Sequence, residues 1–125
     1  MILDTNALSA VADNDPVAVR IFTNAESIEL PVIVVGEYRF GIASSRRRSE
    51  YEEWLGRLIA AVRVLPVDLA TSGHYAQIRA ELKRAGRSIP SNDLWIAALS
   101  RQHRLLLMTQ DKHFDAIRGL MRVDW

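Results

Sequence analysis

A chain of 125 residues has the size of one domain built on one hydrophobic core, which argues against a two-domain enzyme. Hydrophobic residues make up 49% and charged residues 25%, the balance of a folded chain and not of a disordered or collagen-like one. The formal net charge of +1 excludes the bulk basic pull of a histone-like binder, yet the charge is uneven: residues 1–38 hold six acids and one base, residues 39–125 nine acids and fifteen bases. Such a chain can still attract a polyanion locally.

Cysteine is absent, so disulfides, zinc–thiolate clusters and thiol nucleophiles are excluded. No window approaches the roughly 18 apolar residues of a membrane span, and no signal-peptide pattern opens the chain, so a cytoplasmic protein with no membrane partner is expected.

Met1-Ile2-Leu3 reads as a short buried strand that stops at Asp4-Thr5-Asn6, a polar cluster able to cap a helix over Ala7–Ala12. Turn chemistry at Asp13-Asn14-Asp15-Pro16 precedes a helix over Val17–Ala25. Ile28–Ile33 is a second strand, restricted by Pro31, and Val34–Ser44 a helix weakened by Gly36 and Gly41. Tyr51, Trp54, Leu55, Leu58, Ile59 and Val62 fall on one helical face. Val64–Val67 is a strand, and Thr71 or Ser72 caps a helix with Tyr75, Ile78, Leu82 and Ala85 inward, closed by Gly86. Pro90-Ser91-Asn92 leads into a buried helix from Asp93 to Leu99. Leu105–Met108 is a strand ending at Thr109-Gln110-Asp111, followed by a short helix over His113–Arg118 and an edge strand over Leu120–Val123. This alternation predicts an α/β fold with a mainly parallel central sheet and helices on both faces.

Asp4 and Asp111 follow strands, Asp93 opens a buried helix and Glu37 lies about one turn into another. Ligands of open α/β sheets bind beyond the strand carboxyl ends, where these acids fall. Each acid taken singly is equally a helix cap or a solvated residue. Taken jointly, carboxylates in a dry crevice repel one another and must bind protons or a cation. An all-oxygen set, with no Cys and no His at ligand spacing, suits Mg²⁺ or Mn²⁺, the ions of phosphodiester hydrolysis.

Asp4-Thr5-Asn6, Glu37, Ser91-Asn92-Asp93 with Leu94-Trp95-Ile96-Ala97, and Thr109-Gln110-Asp111-Lys112-His113-Phe114 together resemble the PIN-domain nucleases, most closely the VapC-type toxins of bacterial toxin–antitoxin pairs. The resemblance runs in order over essentially residues 1–125, as a single PIN-like nuclease domain. It implies that Asp4, Glu37, Asp93 and Asp111 hold Mg²⁺ or Mn²⁺, with Asp115 a possible stand-in for Asp111. Thr5 and Asn6 would orient the first carboxylate, and Thr109 would support the site from behind. It further implies a metal-dependent endoribonuclease, a homodimer, and a cognate antitoxin reaching into the acidic site.

Arg46 and Arg47 beside a turn, and Arg79, Lys83 and Arg87 on one helix, are candidate RNA contacts, although a solvated cationic face would look the same. His74, His103 and His113 show no metal or catalytic spacing; His113 alone lies near Asp111. Tyr38, Phe40, Tyr51 and Trp54 are expected in the core, or in part as a groove for a partner. Two rival readings remain: a phosphatase-like or receiver-like phosphoryl-transfer domain, which would favour paired Asp residues at its start, and a non-catalytic protein-binding module.

Overall fold

The computed structural model describes residues 1–125. Its elements run β1 (Ile2–Leu3), α1 (Thr5–Ala12), α2 (Pro16–Asn24), β2 (Glu29–Pro31), α3 (Val32–Ile42), α4 (Arg48–Ala61), β3 (Arg63–Leu65), α5 (Leu69–Arg84), α6 (Ser91–His103), β4 (Leu107–Met108), a 3₁₀ turn (Lys112–Ala116) and β5 (Arg122–Val123). The strands form one sheet in the order β3-β2-β1-β4-β5, and every pairing is parallel. β1 is central, with Ile2 opposite both Glu29 and Leu107.

Helices separate all the strands, and parallel strands require such crossovers. The strands are short, but β1 and β4 are buried at both residues, which is why they read as unbroken apolar runs and not as alternating ones. Their side chains join Leu8, Leu30, Leu55, Ile78, Ile96, Leu99 and Phe114 in a single core. α5 and α6 pack most closely against each other, and α1 packs on α2 and α3.

Several boundaries depart from the sequence expectation, four of them with a clear physical reason or consequence. β2 stops at Pro31 and α3 starts at Val32; the β-branched run Val32–Val35 favours a strand locally, but Val34, Val35, Tyr38 and Ile42 bury one helical face, and that burial overrides propensity. β3 lies at Arg63–Leu65, one residue earlier at its start than Val64 and two shorter at its end. α5 starts at Leu69, and its cap is Asp68; Thr71 is the third residue of a capping box whose side chain returns to the Asp68 N–H. The last helix is a 3₁₀ turn ending at Ala116. Gly86 does close α5, at a φ of 68° that suits glycine.

The parallel sheet brings one end of every strand together. Asp4 leaves the carboxyl end of β1, α3 starts directly from β2, and Thr109–Asp111 leave β4. α6 precedes β4 and runs back along it, so its first turn, with Asp93, reaches the same end.

Candidate active site

Asp4 is the N-cap of α1: its Oδ1 accepts the Ala7 N–H at 2.7 Å. Its own N–H donates to Met108 O across the sheet, so one short segment is anchored at both backbone and side chain. The residue is only 5% exposed. Burial raises its carboxyl pKa, hydrogen bonding to Thr109 and to the Ala7 N–H works against that rise, and the charges of Asp111 and Glu37 add to it.

Glu37 is half-buried in the second turn of α3, and its Oε1 accepts the Thr5 hydroxyl at 2.8 Å. The Thr5 hydroxyl therefore orients Glu37, where the resemblance had assigned it to Asp4. Asn6 is exposed and has no side-chain hydrogen bond to Asp4. Thr109 is fully buried, and its Oγ1 accepts the Asp111 N–H at 3.0 Å, which ties the loop after β4 to the residue beside Asp4.

Asp93 lies in the first turn of α6, where the helix dipole favours an anion. Burial raises its pKa; the neighbouring His113 lowers it, and Glu37, Asp111 and Asp4 raise it further. Asp93 thus feels the other three predicted acids, and Asp4 feels Asp111 and Glu37. Asp115 does not share this cluster: it is exposed and gripped by Arg122 through Nε–Oδ1 at 2.6 Å and Nη2–Oδ2 at 3.1 Å, whereas Asp111 lies close enough to act on both Asp4 and Asp93.

His113 is the site residue that spacing missed. Its Nδ1 lies 3.2 Å from Asp111 Oδ1 and its Nε2 3.0 Å from Asp93 Oδ2. Neither approach is a hydrogen bond in this geometry, and Nε2 is buried without a hydrogen-bond partner. One atom each of Asp93, Asp111 and His113 come within 4.8 Å of one another. Sequence separation hid this trio, because the 3₁₀ turn folds His113 back over Phe114, with the ring centroids 4.8 Å apart. The expectation of an oxygen-only set is corrected accordingly: one imidazole nitrogen borders it. An orphaned buried nitrogen facing the Asp93 and Asp111 carboxylates fits a cation.

The basic residues divide. Arg79, Lys83 and Arg87 line one pocket with Ser91 and Leu94, at the start of the helix that carries Asp93. Arg46 is exposed; Arg47 is held by Glu50 at 3.2 Å and lies over the Tyr51 ring. Of the four aromatic residues expected in the core, Tyr38 is buried and Tyr51 and Trp54 pack on the core, but Phe40 is 84% exposed. The core assignment of Phe40 is wrong because the outward face of α3 has no neighbouring element over it.

The model of the PIN domain matches residues 1–120. The chain belongs to the PIN-domain family. Among its relatives, the VapC ribonuclease Y4jK of Sinorhizobium fredii is 36% identical over 121 residues, spanning 89% of this chain and 86% of that protein. Toxin FitB of Neisseria gonorrhoeae is 34% identical over 121 residues, spanning 89% and 87%. Among solved structures, DNA-bound VapBC from Salmonella typhimurium superposes with a TM-score of 0.87 at 28% identity, covering 99% of this chain and 96% of that one. The PIN fold also separates the chain from receiver-like domains, whose strand order is 2-1-3-4-5 and not 3-2-1-4-5.

Proposed function

We propose that residues 1–125 act as one PIN-like nuclease domain, a divalent-metal-dependent endoribonuclease that serves as the toxin of a VapBC-type toxin–antitoxin pair. The observation that carries this reading is the cluster of Asp4, Glu37, Asp93 and Asp111, which share one electrostatic site in which Asp4 and Asp93 hold their protons more tightly than usual. The names of the relatives, ribonucleases and toxins, support the same reading.

Asp4, Asp93, Asp111 and Glu37 would hold Mg²⁺ or Mn²⁺, with His113 beside them. Such an ion, when bound, lowers the pKa of a water and stabilises the leaving oxygen of a phosphodiester. The chain's own residues prepare that place. The Ala7 N–H fixes one oxygen of Asp4, Thr5 fixes Glu37, and Thr109 holds the loop that carries Asp111. The cationic wall of Arg79, Lys83 and Arg87 opens beside the start of α6 and would hold the RNA backbone, with Arg46 and Arg47 as a second contact. A cytoplasmic location, a homodimer and inhibition by a cognate antitoxin belong to the same proposal; the structures it resembles include toxin–antitoxin complexes, and no helix is long and apolar enough to cross a membrane.

Incubating the purified protein with total RNA and Mg²⁺ or Mn²⁺ tests the proposal. Discrete cleavage that stops with EDTA and with a folded Asp4→Asn variant is expected. Cleavage that survives both would sink it.

A further inference from the structure

Phe40 is 84% exposed, one helical turn beyond Glu37 on α3, and a lone exposed phenylalanine needs a reason on a helix whose other aromatic residue, Tyr38, is buried. Side chains on a helix lean back over the residues three and four positions earlier, which for Phe40 are Glu37 and Gly36. Gly36 offers no side chain, and a Cβ built there meets nothing within 4 Å, so the surface beside the ring is open. Phe40, Gly36 and Ile33 line a pocket whose other walls are Thr5, Glu37 and Asn92. Two of those walls belong to the acidic site, and Asn92 directly precedes Asp93. The Asn92 side chain is exposed and forms no hydrogen bond within the chain, which leaves an amide with both a donor and an acceptor.

We infer that this pocket is a nucleobase subsite: an unpaired base of the RNA stacks on the Phe40 ring over Gly36 and presents its edge to Asn92, placing the adjoining phosphate at the carboxylates. The inference rests on the ribonuclease reading and adds to it the selection of unpaired RNA. Base-on-aromatic stacking is tolerant of sequence and needs an unstacked base, so duplex RNA would be refused. Asn92 then supplies whatever discrimination among bases the pocket has. A second copy of the chain seated on the same face is the competing occupant, and the test separates the two.

The test uses the full chain in EDTA, where cleavage is arrested, with a short single-stranded oligoribonucleotide carrying 2-aminopurine. The wild-type protein is expected to quench the probe on binding. Phe40→Ala should lose the quench and bind about 5- to 150-fold more weakly, the range that stacking energies per base correspond to. Phe40→Trp should restore both, and Gly36→Leu, which fills the open side, should bind as poorly as Phe40→Ala. Phe40 is exposed, so these variants are expected to keep the wild-type circular dichroism and elution volume. No quench by the wild-type protein, an unchanged affinity for Phe40→Ala, or a dimer that Phe40→Ala dissociates would each overturn the subsite. In a parallel assay with Mg²⁺, absence of cleavage together with an intact Phe40-dependent quench would defeat the nuclease reading and leave the subsite standing.

Discussion

Asp4 carries two duties that pull in opposite directions. Its carboxylate caps α1, yet burial and the neighbouring Asp111 and Glu37 make its charged form costly. A carboxyl whose pKa is raised in the folded state contributes stability that is complete below its unfolded value of 3.8 and is lost as pH rises through the folded value. Asn keeps the cap and removes the charge. Asp4→Asn is therefore expected to melt higher than the wild-type protein in EDTA at neutral pH. In Mn²⁺ at a hundred times its Kd the wild-type protein gains about 2.7 kcal/mol, and the variant should gain far less; thermal melts with and without the ion check both. Thr5 acts through Glu37, so Thr5→Ala should weaken the apparent metal affinity in cleavage assays by about 10- to 100-fold. At this scale the sequence was informative where residues follow strands: Asp4 and Asp111 stand at chain positions that the fold must bring together. Thr5 was misassigned because nothing in its neighbourhood reveals that α3 passes beside it. His113 was missed because a 3₁₀ turn, and not a regular spacing, carries it to Asp93.

The elements position these residues through their ends. α1 and α6 begin at the site, and α3 starts without a side-chain cap directly from β2, so Glu37 is placed by strand geometry more than by its own helix. α5 is held differently. Asp68 accepts the Thr71 N–H at 3.0 Å and the Gln102 amide at 3.1 Å, and Gln102 Oε1 accepts the Thr71 hydroxyl at 2.6 Å, which joins the start of α5 to the end of α6. Hydrogen bonding from Thr71 and Gln102 lowers the Asp68 pKa below its usual 3.8. The contribution of a lowered carboxyl is present above that value and lost as pH falls through the folded one. Asp68→Ala should therefore lower Tm at pH 7, and the gap to the wild-type protein should narrow below about pH 3.8 as both are followed by circular dichroism. Helices with strong apolar faces, α4 above all, were legible from periodicity. The start of α5 was not, because Thr71 and Ser72 are as good a cap in sequence as Asp68, and only the reciprocal bonds of the capping box decide.

Across the whole molecule, a net charge of +1 conceals an acidic site bordered by cations. Alternation of strands and helices revealed the parallel α/β class, but the order β3-β2-β1-β4-β5 was not legible, because pairing order depends on which crossovers pack and not on any local pattern. The early-acid, late-base asymmetry is a poor guide to the site, since Asp93 and Asp111 lie in the later part; Arg79, Lys83 and Arg87 share a pocket with Ser91, at the start of α6. If these cations hold RNA, binding should weaken steeply with salt, with a log–log slope of about −0.7 per phosphate contacted on a single strand. A double Arg79→Ala, Arg87→Ala variant should flatten that slope by about 1.4 when affinities are measured across a salt series.

The cluster of Asp4, Glu37, Asp93 and Asp111 is expected to gather a cation. Anomalous diffraction at the manganese edge from Mn²⁺-soaked crystals addresses it most directly. A peak bounded by Asp4, Asp93 and Asp111 is expected, and it should be absent in Asp4→Asn. A protein that binds no Mn²⁺, or binds it only away from these carboxylates, would contradict it.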